Sequence, residues 1–195
     1  MLFRSQIYHA LYAERKFDLA AMSNLPAKFR ARIAEAAAIG LPRVIRKHVS
    51  ADGTIRYVLG LETQDTRERE DARAATIETV FMPEEKRQTI CISTQAGCAV
   101  DCHFCLTATL GLIRNLSAGE IAGQVLLALD ENRAALKPQT NIVLMGQGEP
   151  LLNYEPVMDA LRILLDPNAV GISPKHATLS TSGILPGIER MGREK

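Results

Sequence analysis

This sequence has no long apolar run and few cysteines, and each shortage excludes a class of protein. No stretch reaches the roughly 18 consecutive apolar residues that a membrane-spanning helix needs, and residues 1–6 lack the pattern of a signal peptide. We therefore expect a cytoplasmic chain with no membrane partner. The four cysteines, three of them clustered, indicate metal ligation in a reducing compartment rather than the disulfide framework of a small secreted domain.

Three of those four cysteines lie close together, as Cys98, Cys102 and Cys105, in a C-x3-C-x2-C spacing. Three thiolates on one short loop can bind three irons of a four-iron, four-sulfur (4Fe–4S) cluster, which leaves the fourth iron free for a substrate. The alternative is a structural zinc site that Cys91 closes as a fourth ligand. The spacing favours the cluster but leaves both kinds of site open.

The cysteine motif sits between a predicted strand and a predicted helix. Thr89–Thr94 alternates and is rich in β-branched residues, which is typical of a short buried strand. Ser117 and Glu120 have the spacing of a capping box, which predicts a helix from 118 to about 135. Open α/β sheets and barrels carry their chemistry at such strand-to-helix connections.

The same order of strand, loop and helix occurs twice more. Asn141–Gly146 is an apolar run typical of a strand buried on both faces, and a helix is predicted at 154–165. His176–Thr181 is the third predicted strand, and a helix is predicted to begin near Pro186. This repetition predicts an α/β fold with three parallel strands.

The beginning of the chain is basic, whereas the remainder is mildly acidic. Residues 1–50 contain nine Lys and Arg but only three Asp and Glu. Such an imbalance indicates a polyanion that docks at the N-terminal part of the chain. A solvated helix face explains the same charges and stays open as an alternative.

Three regions are predicted along the chain. Apolar residues at helical spacing predict a small helical domain at 1–42. A β-rich connector is predicted at 43–84, with a hairpin turn at Asp52-Gly53, a polar loop at 64–73 and a strand at 77–82. The three strand–helix units occupy 85–195.

Several blocks, taken in order, resemble the RlmN-type adenine-C2 RNA methyltransferases of the radical S-adenosylmethionine (SAM) superfamily. The resemblance covers nearly the whole chain. The blocks are Ser23–Pro26, Ile77–Val80 with Pro83 and Glu84, Thr89–Cys105, Arg114–Ser117, Met145–Asn153 and Leu179–Gly183.

The resemblance implies a fold, a reaction and partners. The fold would be the N-terminal half of a partial (β/α)6 barrel, preceded by a small helical domain and a β-hairpin and strand extension. The reaction would be methylation of C2 of adenine in 23S rRNA and tRNA through a methyl-cysteine intermediate. The cofactors would be a 4Fe–4S cluster and SAM, and a flavodoxin-like protein would be the electron donor.

The resemblance also implies a role for each matching residue. Cys98, Cys102 and Cys105 would bind the cluster; Glu78 would accept the C2 proton; Cys91 would be the cysteine that resolves the protein–RNA adduct; and Gly148, Glu149 and Ser180 would contact SAM. Simpler roles remain for three of these residues. Cys91 alone would be a small buried hydrophobe, Glu78 a solvent-facing strand residue, and Ser180 a cap or turn residue.

One residue that the family's reaction needs is not found. No cysteine follows Cys105, so the methyl-carrying cysteine near the C-terminus of the family has no counterpart. We therefore expect these 195 residues alone to be an inactive fragment, with a non-catalytic RNA-binding remnant as the alternative. Three parallel strands would also leave an open sheet edge.

Overall fold

The computed structural model describes residues 2–61 and 75–194, so the predicted loop at 64–73 lies outside the described residues. The chain begins with a helical module made of α1 (Leu2–Tyr12) and α2 (Ala27–Ala36). Met22 and Leu25 are buried in a small apolar cluster of this module. The rings of Phe3 and Phe29 stack there with 4.6 Å between their centroids. The predicted N-terminal helices are therefore confirmed.

A six-stranded sheet follows the helical module, and a separate two-stranded ribbon is formed by β5 (Gln95–Gly97) and β6 (Leu112–Asn115). The strands of the sheet, in their spatial order, are β1 (Arg43–Val49), β2 (Ile55–Gly60), β3 (Thr76–Pro83), β4 (Arg87–Cys91), β7 (Gln139–Leu144) and β8 (Ala177–Leu179). Neighbouring strands are antiparallel from β1 to β4 and parallel from β4 to β8. Gly53 has φ +84° in the turn between β1 and β2, as the predicted hairpin requires.

Three helices follow the three parallel strands, which confirms the predicted α/β fold. They are α3 (Ala118–Glu131), α4 (Tyr154–Leu165) and α5 (Leu185–Met191). Ser117 and Glu120 form the predicted capping box at the start of α3. None of the helices in the described part of the chain is long and apolar enough to cross a membrane.

The antiparallel and parallel strands share one sheet and one core. Tyr57 and Ile77 belong to the same buried cluster as Ile90 and Ile142. The division at residue 84 between a connector and the strand–helix units stays a prediction, and the sheet is continuous across it.

The two faces of this sheet have different surroundings. Alternate residues of β3, such as Ile77 and Phe81, point toward α3 and α4 and are fully or almost fully buried. The intervening residues Glu78 and Val80 are only partly buried. The face that carries Ile77 and Phe81 is called the covered face, and the face that carries Glu78 and Val80 is called the open face. The candidate site lies where the open face meets the C-terminal ends of the parallel strands, which we call the carboxyl edge.

Candidate functional site

The cysteines lie on a loop that follows β4 at the carboxyl edge. A short antiparallel ribbon, made of β5 (Gln95–Gly97) and β6 (Leu112–Asn115), closes the base of this cysteine loop (residues 98–111). The Cys98 N–H donates to the Gly111 carbonyl at 3.0 Å. A Cβ on Gly97, which has φ +73°, would lie 1.9 Å from that carbonyl oxygen, so only glycine fits there.

The three thiols of the loop are partly exposed, and backbone groups of the loop contact two of them. The Val100 N–H lies 3.4 Å from the sulfur of Cys98. Hydrogen bonds from the backbone and then the hydroxyl of Thr107 lower the pKa of the Cys105 thiol. A lowered pKa favours the thiolate, which is the form that binds iron.

Cys91 and Glu78 share the open face, although they lie on different strands. Cys91 pairs with Val80 on one side and with Val143 on the other, and Val80 is two residues from Glu78. Burial raises the pKa of the Cys91 thiol, and a hydrogen bond with the Met145 backbone offsets part of the rise. Cys91 is therefore a protonated thiol at neutral pH.

Glu78 is paired across the strands rather than free. Its carboxylate lies 3.2 Å from the Arg56 guanidinium of β2, and 40% of its side chain is exposed. Its backbone carbonyl accepts a hydrogen bond from the Ser93 hydroxyl at 2.7 Å. Glu78 is therefore partly exposed, as its simpler role predicts, but its carboxylate also has an ionic partner. Its role as a proton acceptor stays a prediction.

The loop after β7, Gly146–Pro150, packs tightly against the strand before the cysteines, and we call it the glycine loop. The Gln147 carbonyl accepts the N–H groups of both Thr94 and Gln95, at 2.8 and 3.2 Å. Gly148 has φ +98°, and a Cβ there would lie 2.6 Å from the Gln95 Cβ. Both the backbone conformation and the space therefore require glycine at position 148.

Glu149 is buried, with 4% of the residue exposed, and it connects two loops of the carboxyl edge. Its carboxylate accepts the Leu151 N–H at 3.0 Å and, from the loop after β8, the Ser182 N–H at 2.7 Å. Burial by itself would raise the pKa of this carboxyl, but the hydrogen bonds from Ser182 and Leu151 hold it below its ordinary value. Glu149 is therefore ionised and structural in this arrangement, and its predicted contact with SAM stays a prediction.

Ser180 directly follows β8 at the same edge and is exposed. The structure thus brings Cys91, Glu149, Ser180 and the start of the cysteine loop to one edge of the sheet. That Gly148 and Ser180 bind SAM also stays a prediction.

Sequence reasoning missed a buried polar network below these loops. Gln124 of α3 is fully buried; its side chain accepts hydrogen bonds from the Thr79 hydroxyl and the Ser93 N–H and donates to the Ser93 carbonyl, at 2.8–2.9 Å. Asn153 donates to the carbonyls of Thr94 and Leu116, both at 2.8 Å. The signal in the sequence was a glutamine within the apolar stripe of α3, since a buried amide needs partners.

One polar atom of the site is left without a partner. The Thr94 hydroxyl is buried and has no hydrogen-bond partner within residues 2–61 and 75–194. It lies between the ribbon of the cysteine loop and the glycine loop, to which its backbone N–H is bonded. Such an orphaned hydroxyl suits a site that receives a polar ligand.

The three thiols of the loop suit a 4Fe–4S cluster, whereas the zinc alternative needs Cys91 as a fourth ligand. A 4Fe–4S cluster instead takes each thiolate on a different iron. The three thiols of one loop fit that ligand set, while Cys91 lies apart on β4.

A cavity of the described chain lies away from this site. A cavity of about 440 Å³ opens where the parallel strands begin, lined by Gln88, Gln139 and His176 among others. It is therefore at the opposite end of the strands from the cysteine loop and does not belong to this site.

Comparison with known proteins finds a matching family model, related sequences and a related solved structure. The family model of the radical SAM superfamily matches residues 92–194. A protein of Rhodopseudomonas palustris (strain HaA2) named "Dual-specificity RNA methyltransferase RlmN" is 42% identical over 197 residues. A protein of the same name from Jannaschia sp. (strain CCS1) is 42% identical over 199 residues. Each match covers 97% of this chain and 48% of the relative, so the chain spans about half the length of these relatives.

A solved structure has the same fold. The crystal structure of a radical SAM methyltransferase from Sphaerobacter thermophilus superposes with a TM-score of 0.84 at 39% identity. The match covers 97% of this chain and 53% of that one.

Proposed function

Because this chain belongs to the radical SAM superfamily, we propose that it forms part of an RlmN-type enzyme that methylates C2 of adenine in RNA. Its superfamily implies a 4Fe–4S cluster and SAM as cofactors. The observation that supports the proposal is the convergence, at one edge of one sheet, of the three-cysteine loop and the braced glycine loop. The relatives that match over 97% of the chain are named RNA methyltransferases.

We assign the cluster to Cys98, Cys102 and Cys105, and SAM to the loops of Gly148, Glu149 and Ser180. When bound, the cluster supplies the electron that cleaves SAM. The partly exposed thiols leave the cysteine loop accessible to iron, and the lowered pKa of Cys105 favours its thiolate.

Two residues of the open face would act on the RNA. Glu78 is proposed to accept the proton from C2 of the adenine, and its pairing with Arg56 keeps its carboxylate in one place. Cys91 is proposed to resolve the protein–RNA adduct. Burial holds this thiol protonated, so it would stay unreactive until the RNA is bound.

The partners in this proposal are 23S rRNA, tRNA and a flavodoxin-like electron donor, in the cytoplasm. A second candidate is an RNA-binding remnant without catalysis, because no cysteine follows Cys105 in these 195 residues. We therefore expect this chain alone not to methylate RNA. To test this expectation, the chain is incubated anaerobically with reductant, SAM and unmodified ribosomal RNA, with and without a supplied C-terminal half of a relative. The RNA is then analysed for 2-methyladenosine. Formation of 2-methyladenosine by the chain alone would contradict this expectation.

The cluster is tested by anaerobic reconstitution with iron and sulfide. The chain should bind about four irons, and replacing Cys98, Cys102 or Cys105 by Ala should each abolish the bound cluster. Cys91→Ala is the matched control and should keep all of the iron, because Cys91 lies on β4 outside the loop. If Cys91→Ala loses iron as completely as Cys98→Ala, the ligand set is wrong and a closed four-cysteine site replaces it.

A further inference from the structure

The open face of the sheet continues past Glu78 onto the two outer strands, and its charged or titratable side chains there are basic. The register places Arg56 of β2 opposite Val80, and Val58 opposite Glu78. On the edge strand β1, His48 lies opposite Arg56, and Arg46 lies opposite Val58. Residues opposite each other in neighbouring strands share a face. Arg46, His48 and Arg56 therefore share the face of Glu78 and Cys91.

A bulge in β1 determines which of its basic side chains lie on the open face. The register between β1 and β2 shifts between Val44 and Arg46, and a shift of one residue moves each following side chain to the other face. Lys47 accordingly points to the covered face, where its ammonium pairs with Glu131 and lies 5.5 Å from the centre of the Tyr57 ring. Its two neighbours, Arg46 and His48, are left on the open face and are exposed.

The charge on this part of the open face is nearly all positive. Within the sequences of β1, β2 and β3 the only carboxylate is Glu78, and it pairs with Arg56. Arg46 has no ion-pair partner among the residues that the structure describes. Two exposed arginines and a histidine that lead to a candidate catalytic site are complementary to a polyanion.

We propose that Arg46, His48 and Arg56 form a docking strip for the phosphates of a single-stranded RNA segment, whose target base then lies over Glu78 and Cys91. The inference rests on the proposed function for the identity of the partner. Three strand spacings separate β1 from β4, about 14 Å, which about four stacked nucleotides span. An unpaired segment fits because its bases can be turned toward the sheet, whereas a duplex hides them.

The test is RNA binding by the 195-residue chain without cofactors, measured by fluorescence anisotropy over a range of salt concentrations. The probe is a labelled RNA stem–loop with adenosine in its loop, compared with a blunt duplex of equal length. The double variant Arg46→Ala/Arg56→Ala should bind the stem–loop about tenfold more weakly. The slope of log affinity against log salt should become less steep by about 1.4, which is about 0.7 for each lost phosphate contact.

The control removes the same charge from the other end of the strands. Lys137→Ala/Lys175→Ala deletes two exposed cations near the start of β7 and β8 and should leave the affinity within about twofold. Arg46→Lys/Arg56→Lys should restore most of the binding, since a phosphate contact needs the charge above all. Glu78→Gln should bind the stem–loop slightly more tightly, because it removes the carboxylate that pairs with Arg56 of the strip. Thermal melts of every variant would verify folding.

The proposal is wrong if the control variant loses as much affinity as Arg46→Ala/Arg56→Ala, or if the strip variant binds like the wild type. It is also wrong if the strip variant changes the oligomeric state with unchanged RNA affinity, since the face would then be a contact between copies. Equal binding of duplex and stem–loop would contradict the single-stranded partner. Neither cluster assembly nor methyl transfer enters this assay, so its failure is separate from failure of the proposed function.

Discussion

The two loops that meet at the carboxyl edge are built in opposite ways. In the glycine loop and the turn after it, Glu149, Leu151 and Asn153 are each at most 5% exposed, and their polar groups are bonded to neighbouring segments. In the cysteine loop, Phe104 is 93% and Leu106 83% exposed. The first loop is fixed by tertiary contacts, whereas the second is held mainly at its base and by its own turns.

This difference matches what each loop would have to do. A site that orients a small cofactor gains from groups that are already in place, because no ordering cost is then paid on binding. A loop that must admit iron and sulfide needs thiols that are accessible. Stability should therefore depend on the glycine loop and cluster assembly on the cysteine loop, and five substitutions test the first part of this division.

Among the glycine positions, the largest effect on stability is expected from Gly148→Ala. Alanine is strained at φ +98°, and its Cβ would lie 2.6 Å from the Gln95 Cβ and 2.7 Å from the Gln95 nitrogen. Backbone strain and overpacking together should lower the free energy of unfolding by about 4 kcal/mol. Urea denaturation would measure it.

Gly183→Ala separates the two causes. Gly183 has a similar φ of +103°, but nothing lies within 4 Å of a Cβ there. Its substitution should therefore cost only the strain, about 1–2 kcal/mol. Equal losses at the two positions would mean that the contact with Gln95 contributes nothing.

Glu149→Gln should have an intermediate effect that depends on pH. Glutamine keeps one acceptor oxygen, so one of the two N–H groups of Leu151 and Ser182 loses its partner, at a cost of about 2 kcal/mol near pH 7. The pKa of the folded carboxyl lies below its ordinary value of 4.5. The stabilisation by the ionised carboxylate is therefore fully present above the pKa of the unfolded state. It is lost as the pH falls through the pKa of the folded state.

Urea unfolding of both proteins at several pH values would check this sign. The difference between wild type and Glu149→Gln should be constant near neutrality and shrink at pH values below 4.5. A difference that grows on acidification would show that the carboxyl is not ionised in the folded chain.

The smallest effect is expected from Phe104→Ala in the cysteine loop. Its side chain is 93% exposed, so the free energy of unfolding without cofactors should change by less than about 0.5 kcal/mol. Leu151→Ala is the matched substitution in the braced segment, where 5% exposure predicts a loss of about 2–5 kcal/mol. Similar losses for the two variants would remove the contrast between the loops.

Much of the fold could be predicted because its signals are local. Helix α4 occupies 154–165 as predicted, and α3 begins at the expected capping box. The ribbon of β5 and β6 was missed, because strands of three and four residues carry too little alternation to be detected. The third parallel strand is also shorter than predicted, Ala177–Leu179 within 176–181.

The sequence by itself determined the spacing of the three cysteines, the order of the strand–helix units and the family blocks, since each of these is written in neighbouring residues. Only the tertiary structure decided that the Glu149 carboxylate joins two loops and that Gln124 anchors Ser93, because their partners are distant in the chain. The same holds for the basic strip. Arg46 and Lys47 are adjacent cations in the sequence, and the bulge at Val44/Arg46 alone sends Lys47 to α3 and Arg46 to the face of Glu78.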